Sequence, residues 1–112
     1  MRLRADFWVA AYIRRCAHEG AMAVLRRRGA AEAGAIFIKI DRLDGFVSLY
    51  GPAPQSELTG KDDRLFARLH TEPWIDPAEA EQRLARQIRF DPDLWIVETE
   101  DKQGRSFLDL AG

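Results

Sequence analysis

The first part of the chain repeats its apolar residues with the 3.6-residue period of a helix. The spacing of Tyr12 and Cys16, with apolar neighbours on the same side, predicts an amphipathic helix from about Asp6 to Glu19. Asp6 is the expected N-cap, because its carboxylate can accept hydrogen bonds from free N–H groups of the first turn. Gly20 stands where a helix needs a left-handed residue after its C-terminus. Such a helix must pack its apolar side on another layer.

A second helix is predicted by an N-terminal capping motif as well as by the spacing of its apolar residues. Asp76 is an N-cap residue, Pro77 fits the first helical position, and Glu79 can complete a capping box. Leu84 lies on the apolar face of this helix. The helix should end before Pro92, because the residue preceding a proline is excluded from the helical region.

Short alternating runs rich in Val, Ile, Phe and Leu predict strands between and after the helices. The link Arg42–Gly45 has hairpin length, so the second and third strands should be antiparallel neighbours. Gly51–Pro54 is expected to end the third strand, and Gln55–Asp63 to form a polar loop. The link between the first two strands is either a hairpin loop or a helical turn over Ala30–Ala33. The runs cover residues 22–27, 35–41, 46–50, 65–69 and 94–97, with a short optional strand at 105–110.

The element order is therefore α-β-β-β-β-α-β. It predicts an α+β fold with two helices and a mainly antiparallel sheet of five to six strands. Leu94–Val97 is apolar on both faces, which indicates a strand inside the sheet with a layer on each side. The run at residues 65–69 is typical of an edge strand.

Composition narrows the class of protein. The 112 residues are 46% hydrophobic and 31% charged, which indicates one globular domain over residues 1–112 and excludes a disordered chain. The formal charge of −1 gives no overall attraction for polyanions. A single cysteine cannot form an internal disulfide, so we expect a reducing, cytoplasmic compartment. No apolar run approaches the ~18 residues that a membrane span requires.

Five stretches carry a resemblance to a known family. The most specific is an Asp-Pro-Asp junction between a basic helix and a Leu-Trp strand. These stretches resemble the alphaproteobacterial family known as domain of unknown function 1491. The resemblance implies a bacterial cytoplasmic protein that forms the whole of its domain, and it brings no reaction, cofactor or catalytic residue. The stretches are Trp8-Val9-Ala10, Gly20–Leu25, Ala33–Ile36, Leu49–Pro54 and Phe90–Glu98.

Basic residues concentrate in the N-terminal part of the chain. Residues 1–42 hold 9 Lys and Arg against 4 acidic residues, whereas residues 43–112 hold 8 against 14. Guanidinium groups recognise phosphates well. The candidates for contact with nucleic acid or another anion are Arg14, Arg15, Arg26, Arg27 and Arg28. The alternative is that these arginines are solvated or pair with the acidic half of the fold.

Other chemistry-bearing residues give no catalytic pattern. Asp93 and Glu100 are seven residues apart on one strand, roughly 23 Å, which is too far to share a magnesium ion. Cys16 lies among apolar residues and is expected to be an inert core thiol. His18 and His70 lack further ligands at zinc spacing. We predict no cofactor, no metal and no catalytic residue.

The function that these observations favour is a small non-enzymatic protein-binding or assembly module. It would bind an unknown protein partner or form a homodimer, through a sheet edge or through the loop that carries Trp74. Trp74 can instead cap the second helix from outside. An anion or nucleic-acid binder that uses the basic N-terminal half is the first alternative. A small enzyme with an unrecognised site is the second.

Overall fold

The computed structural model describes residues 3–54 and 64–111, so the polar loop expected at Gln55–Asp63 lies outside the described residues. It contains two α-helices and five β-strands in the predicted order, which confirms the α+β class. The elements are α1 (Ala5–His18), β1 (Met22–Arg27), β2 (Ile36–Asp41), β3 (Val47–Pro52), β4 (Phe66–Arg68), α2 (Pro77–Phe90) and β5 (Trp95–Glu100).

The five strands form one mixed sheet in the order β1-β5-β2-β3-β4. β5 runs parallel to β2, whereas the other three neighbouring pairs are antiparallel. The sheet is therefore mixed, and the parallel β2–β5 pair is the part that the expectation of a mainly antiparallel sheet did not include. β5 lies inside the sheet, as its two apolar faces predict, and it separates β1 from β2. Of the two options predicted for the link between β1 and β2, the hairpin loop is therefore wrong. The link contains the helical turn instead, in which Gly34 N–H donates to Ala30 O at 3.2 Å.

The sixth strand does not form among the described residues. The segment predicted at 105–110 contributes a single bridge, between Leu110 and Phe66. The third strand, in contrast, continues past its predicted end, because Gly51 and Pro52 still pair with β4. Gly51 is required there, since a Cβ at this position would lie 2.8 Å from the ring of Phe37.

The two helices cover opposite faces of the sheet. Side chains alternate along β2 and β5, so each strand gives one apolar set to each face. No helix in the described ranges is long and apolar enough to cross a bilayer. The buried α1-side core includes Val9, Tyr12, Cys16, Ile36, Ile38, Ile40, Trp95 and Val97. The α2-side core is Phe37, Val47, Leu49, Ile75, Ala80, Leu84, Leu94 and Ile96.

The start of α1 differs from the prediction. Arg4, not Asp6, occupies the N-cap position, and its side chain makes no capping hydrogen bond. The N–H groups of Ala5 and Asp6 donate to the carbonyls of Glu32 and Ala31, both at 3.0 Å. These carbonyls satisfy two N–H groups of the first turn, so the helix begins one residue earlier. The Asp6 carboxylate still accepts a hydrogen bond from a first-turn N–H, that of Phe7, at 2.8 Å.

The end of α1 is as predicted. Gly20 has a φ of +86°. Its N–H donates to Ala17 O at 3.1 Å, and the N–H of Ala21 donates to Cys16 O at 2.9 Å. These two bonds make a Schellman motif, which turns the chain from α1 directly into β1.

The start of α2 confirms Asp76 as N-cap, since its carboxylate accepts from Ala78 N–H at 3.0 Å. The capping box is wrong, because the carboxylate of Glu79 binds Arg83 at 2.8 Å instead. That i,i+4 pair has the favourable orientation, with the acid N-terminal to the base.

Candidate functional site

The outer edge of β1 is the most distinctive exposed feature of the described chain. β1 is the terminal strand of the sheet, and within residues 3–54 and 64–111 only β5 pairs with it. Its first four side chains are apolar, and three of them are exposed: Met22 keeps 61% of its surface, Val24 49% and Leu25 38%. An edge strand with free backbone groups and apolar side chains is a template for another strand.

The exposed apolar surface continues from β1 onto α1. Ala23 and Leu25 point to the α1 side, since they pair with Thr99 and Val97. Leu25 lines a shallow depression of about 310 Å³ together with the exposed Phe7 of α1. An apolar strand edge and an apolar helix surface therefore adjoin.

The opposite edge of the sheet is covered by the chain itself. Phe66 N–H donates to Asp109 O, and Ala111 N–H donates to Phe66 O, both at 2.9 Å. These two bonds bring the C-terminal segment alongside β4. In the part of the chain that the structure describes, β1 is thus the open edge and β4 the covered one.

The arginine run at the end of β1 is engaged within the molecule. Arg26 donates two hydrogen bonds to Glu81 of α2, at 2.8 and 2.9 Å, and a third to Glu98 at 3.2 Å. Arg27 donates to Leu94 O at 2.8 Å. Arg26 is also the extra residue of a bulge in the β1–β5 ladder. Arg26 therefore pairs with acidic residues from the second half of the chain, and Arg27 binds a backbone carbonyl there.

Lys39 joins the same network from β2. It is only 7% exposed, and its Nζ lies 2.8 Å from Glu81 and 3.6 Å from Glu98. Hydrogen bonds from Arg26, and then from Lys39, lower the pKa of Glu81 to about 2. Because Glu81 is held by two cations, it stays ionised. Its ion pairs with Arg26 and Lys39 attach α2 to β1 and β2, and Glu98 adds β5 to the same network.

The predicted arginine cluster is not brought together on one surface. Arg14 and Arg15 are exposed on α1. Arg26 instead reaches α2 across the other face of the sheet. Arg28 lies over Trp95, with its guanidinium carbon 5.2 Å from the ring centroid. Anion contact by these five residues stays a prediction.

Trp74 is half-buried in its loop. The guanidinium carbon of Arg42 lies 4.5 Å from its ring centroid. The ring also covers Gly104, which has a φ of +70° and where a Cβ would lie 2.5 Å from it. The expectation that Trp74 caps α2 is wrong, because the ring packs against the α1-side core. A partner contact at Trp74 stays a prediction.

Three carboxylates meet on the α2 side of the sheet. Asp41 and Glu100 are opposed in the parallel β2–β5 pair, and Glu98 lies two residues before Glu100. Their oxygens lie within 4.8 Å of one another, a spacing that can hold a divalent cation. Sequence reasoning missed the group, since Asp41 joins it only through the parallel register. Asp93, at the other end of β5, is not part of it.

Cys16 is buried as predicted. Its sulfur lies 3.9 Å from the hydroxyl of Thr99. That hydroxyl lies 3.0 Å from the hydroxyl of Tyr12, which donates to Ser106 O at 2.8 Å. Burial raises the pKa of the Cys16 thiol. A protonated thiol without access to solvent is a poor nucleophile.

His70 is a buried structural residue. Leu49 N–H donates to its Nε2 at 3.0 Å, and its Nδ1 lies 2.7 Å from Glu72 O. Only the neutral ring protonated at Nδ1 satisfies both contacts. Burial, above all, lowers the pKa of His70. The ring therefore links β3 to the segment after β4.

Comparison with known proteins identifies the family. A family model described as a protein of unknown function, DUF1491, matches residues 3–109. The chain belongs to the DUF1491 family. No curated protein matches the chain. Membership in DUF1491 confirms the resemblance carried by the sequence and assigns no reaction.

Two solved structures extend the family comparison. The chain is similar to the solution structure of protein Atu0922 from A. tumefaciens, with 38% identity and a TM-score of 0.84 over 99% of this chain and 96% of that one. It is also similar to the crystal structure of a DUF1491 family protein from Caulobacter crescentus, with 33% identity and a TM-score of 0.80 over 100% of both chains. Both comparisons support the α+β fold of the described residues.

Proposed function

We propose that this DUF1491 protein is a small non-enzymatic protein-binding or assembly module of the bacterial cytoplasm, and that its binding surface is the outer edge of β1. The observation that carries the proposal is the contrast between the two edges of the sheet. Among the described residues, β4 is covered by residues 109–111, whereas β1 is open and its first four side chains are apolar.

Strand addition is the recognition mode that fits such an edge. The free N–H and C=O groups of β1 supply main-chain hydrogen bonds, and alternate side chains supply specificity. Burying the exposed half of Met22, Val24 or Leu25 contributes about 1 kcal/mol each. A partner strand that also covers Phe7 gains a similar amount.

The test is an NMR titration of the isotope-labelled chain with a synthetic peptide of residues 20–29, the segment that contains β1. We expect saturable shifts at β1 amides, and no shifts with a scrambled peptide. Val24→Lys should abolish the effect, because it places a charge in the middle of the edge. Phe46→Lys is the matched control, since Phe46 is 48% exposed but lies immediately before β3.

Absence of binding would disprove the proposal, and so would equal binding by Val24→Lys. The alternative of an anion binder is weakened by contacts within the molecule, since Arg26 and Arg27 already have acceptors. The alternative of an enzyme lacks an accessible nucleophile at Cys16.

A further inference from the structure

We infer that the strand received by the β1 edge is β1 of a second copy of this chain, running antiparallel, so that two five-stranded sheets join into one of ten. The inference rests on the proposed function, because it requires β1 to be a binding edge. Its content is the identity of the partner and the arrangement of the two copies.

The charges along β1 decide the direction of pairing. The strand ends in Arg26, Arg27 and Arg28, whereas the turn before it carries Glu19. A parallel second copy would place the two arginine runs side by side, and like charges directly opposite each other are destabilising. An antiparallel copy places Arg28, whose described contact is with the ring of Trp95, beside the partner's Glu19. Twofold symmetry produces this contact twice.

Symmetry and the bulge then limit the register. A twofold axis perpendicular to the sheet pairs residues that point to the same face, so one residue lies opposite its own copy and the axis passes midway between the two. The bulge at Arg26 leaves residues 22–25 as the regular part of the ladder. An axis midway between Ala23 and its own copy keeps Arg26 out of the paired segment. Met22 then opposes the partner's Val24, and Ala23 opposes its own copy.

The same axis explains the exposed apolar surface on the α1 side. Because the axis is perpendicular to the sheet, both α1 helices lie on one face of the joined sheet. Phe7 and Leu25 of each copy then flank the junction, where the partner covers them. Both side chains are exposed in the single chain.

Sedimentation velocity of the full chain over a wide concentration range tests the arrangement. We expect a reversible dimer for the wild type and for Phe46→Lys, and a monomer for Val24→Lys. Arg28→Glu and Glu19→Arg should each weaken the dimer about tenfold, as expected for two exposed ion pairs. The double variant should restore it. Circular dichroism and thermal melting confirm that each variant is folded.

Three outcomes would overturn the inference. A wild type that is monomeric at every concentration, while the β1 peptide still binds, would leave the proposed function standing and exclude a second copy as partner. A dimer that survives Val24→Lys would place the interface elsewhere. The antiparallel arrangement would be refuted if Val24→Lys abolished the dimer but the Arg28→Glu, Glu19→Arg double variant did not restore the affinity that each single change lowers.

Discussion

His70 should make the stability of the fold depend on pH in a defined direction. The buried ring accepts a hydrogen bond at Nε2 from Leu49 N–H, so it must be neutral in the folded chain. Protonation would place an N–H at Nε2 directly opposite the N–H of Leu49. It would also place a positive charge near Arg68 and Arg83, which add to the effect of burial in lowering the pKa of His70. The folded chain therefore resists protonation, whereas the unfolded chain does not.

The sign and the size of the effect follow from linkage. Because the pKa of His70 is lowered on folding, the unfolded chain binds the proton first as the pH falls. The contribution of His70 to the free energy of unfolding is therefore complete above the pKa of the unfolded histidine, about 6.5, and decreases as the pH falls below it. One proton gives at most about 1.4 kcal/mol per pH unit. Between about pH 7 and pH 5, the loss attributable to His70 has an upper limit of about 2 kcal/mol.

Urea denaturation followed by tryptophan fluorescence, at several values between pH 5 and pH 8, measures this loss. His70→Gln should remove the pH dependence in this range and lower stability at pH 7 by about 1–3 kcal/mol, through lost buried hydrogen bonds. His18→Gln is the matched control, because His18 is exposed on α1. Equal pH dependence in wild type and His70→Gln would refute the reasoning, as would its loss in His18→Gln.

Three further predictions test other parts of the fold. Gly29→Ala should cost more than ~2 kcal/mol in urea denaturation, because its Cβ would lie 2.2 Å from the carbonyl oxygen of Asp93; a loss under ~0.5 kcal/mol would contradict the packing. Cys16 should react with a thiol reagent only on unfolding, and rapid labelling of the folded chain would show that the thiol is accessible. Labelled DNA and RNA should show no salt-dependent binding in fluorescence anisotropy; micromolar binding that is lost in the Arg14→Glu, Arg15→Glu double variant would restore the anion-binding alternative.

The sequence predicted the features that depend on local chemistry. Gly20 and Asp76 mark helix boundaries through bonds to residues within a few positions, so their motifs can be recognised directly. The alternation along β2 likewise reports burial on both sides of one strand. The open side of β1 had no comparable local motif, because an edge is defined by which strands are absent from its neighbourhood.

Features that join distant segments could not be predicted. The parallel pairing of β2 and β5 depends on where the crossover through α2 returns the chain, and it alone brings Asp41 to Glu100. The contact of Arg26 with Glu81 spans 55 residues. The N-cap position of α1 was predicted wrongly for the same reason, since two N–H groups of its first turn donate to carbonyls of a different loop.

Amide hydrogen exchange along β1, measured on dilute chain with and without the peptide of residues 20–29, tests the open edge most directly. The β1 amides that point away from β5 should exchange quickly in the free chain and gain protection when the peptide binds. The amides of β4 should be unaffected, because its outer edge is already covered. Outward β1 amides that are protected in the dilute chain, or unchanged by the peptide, would contradict the account.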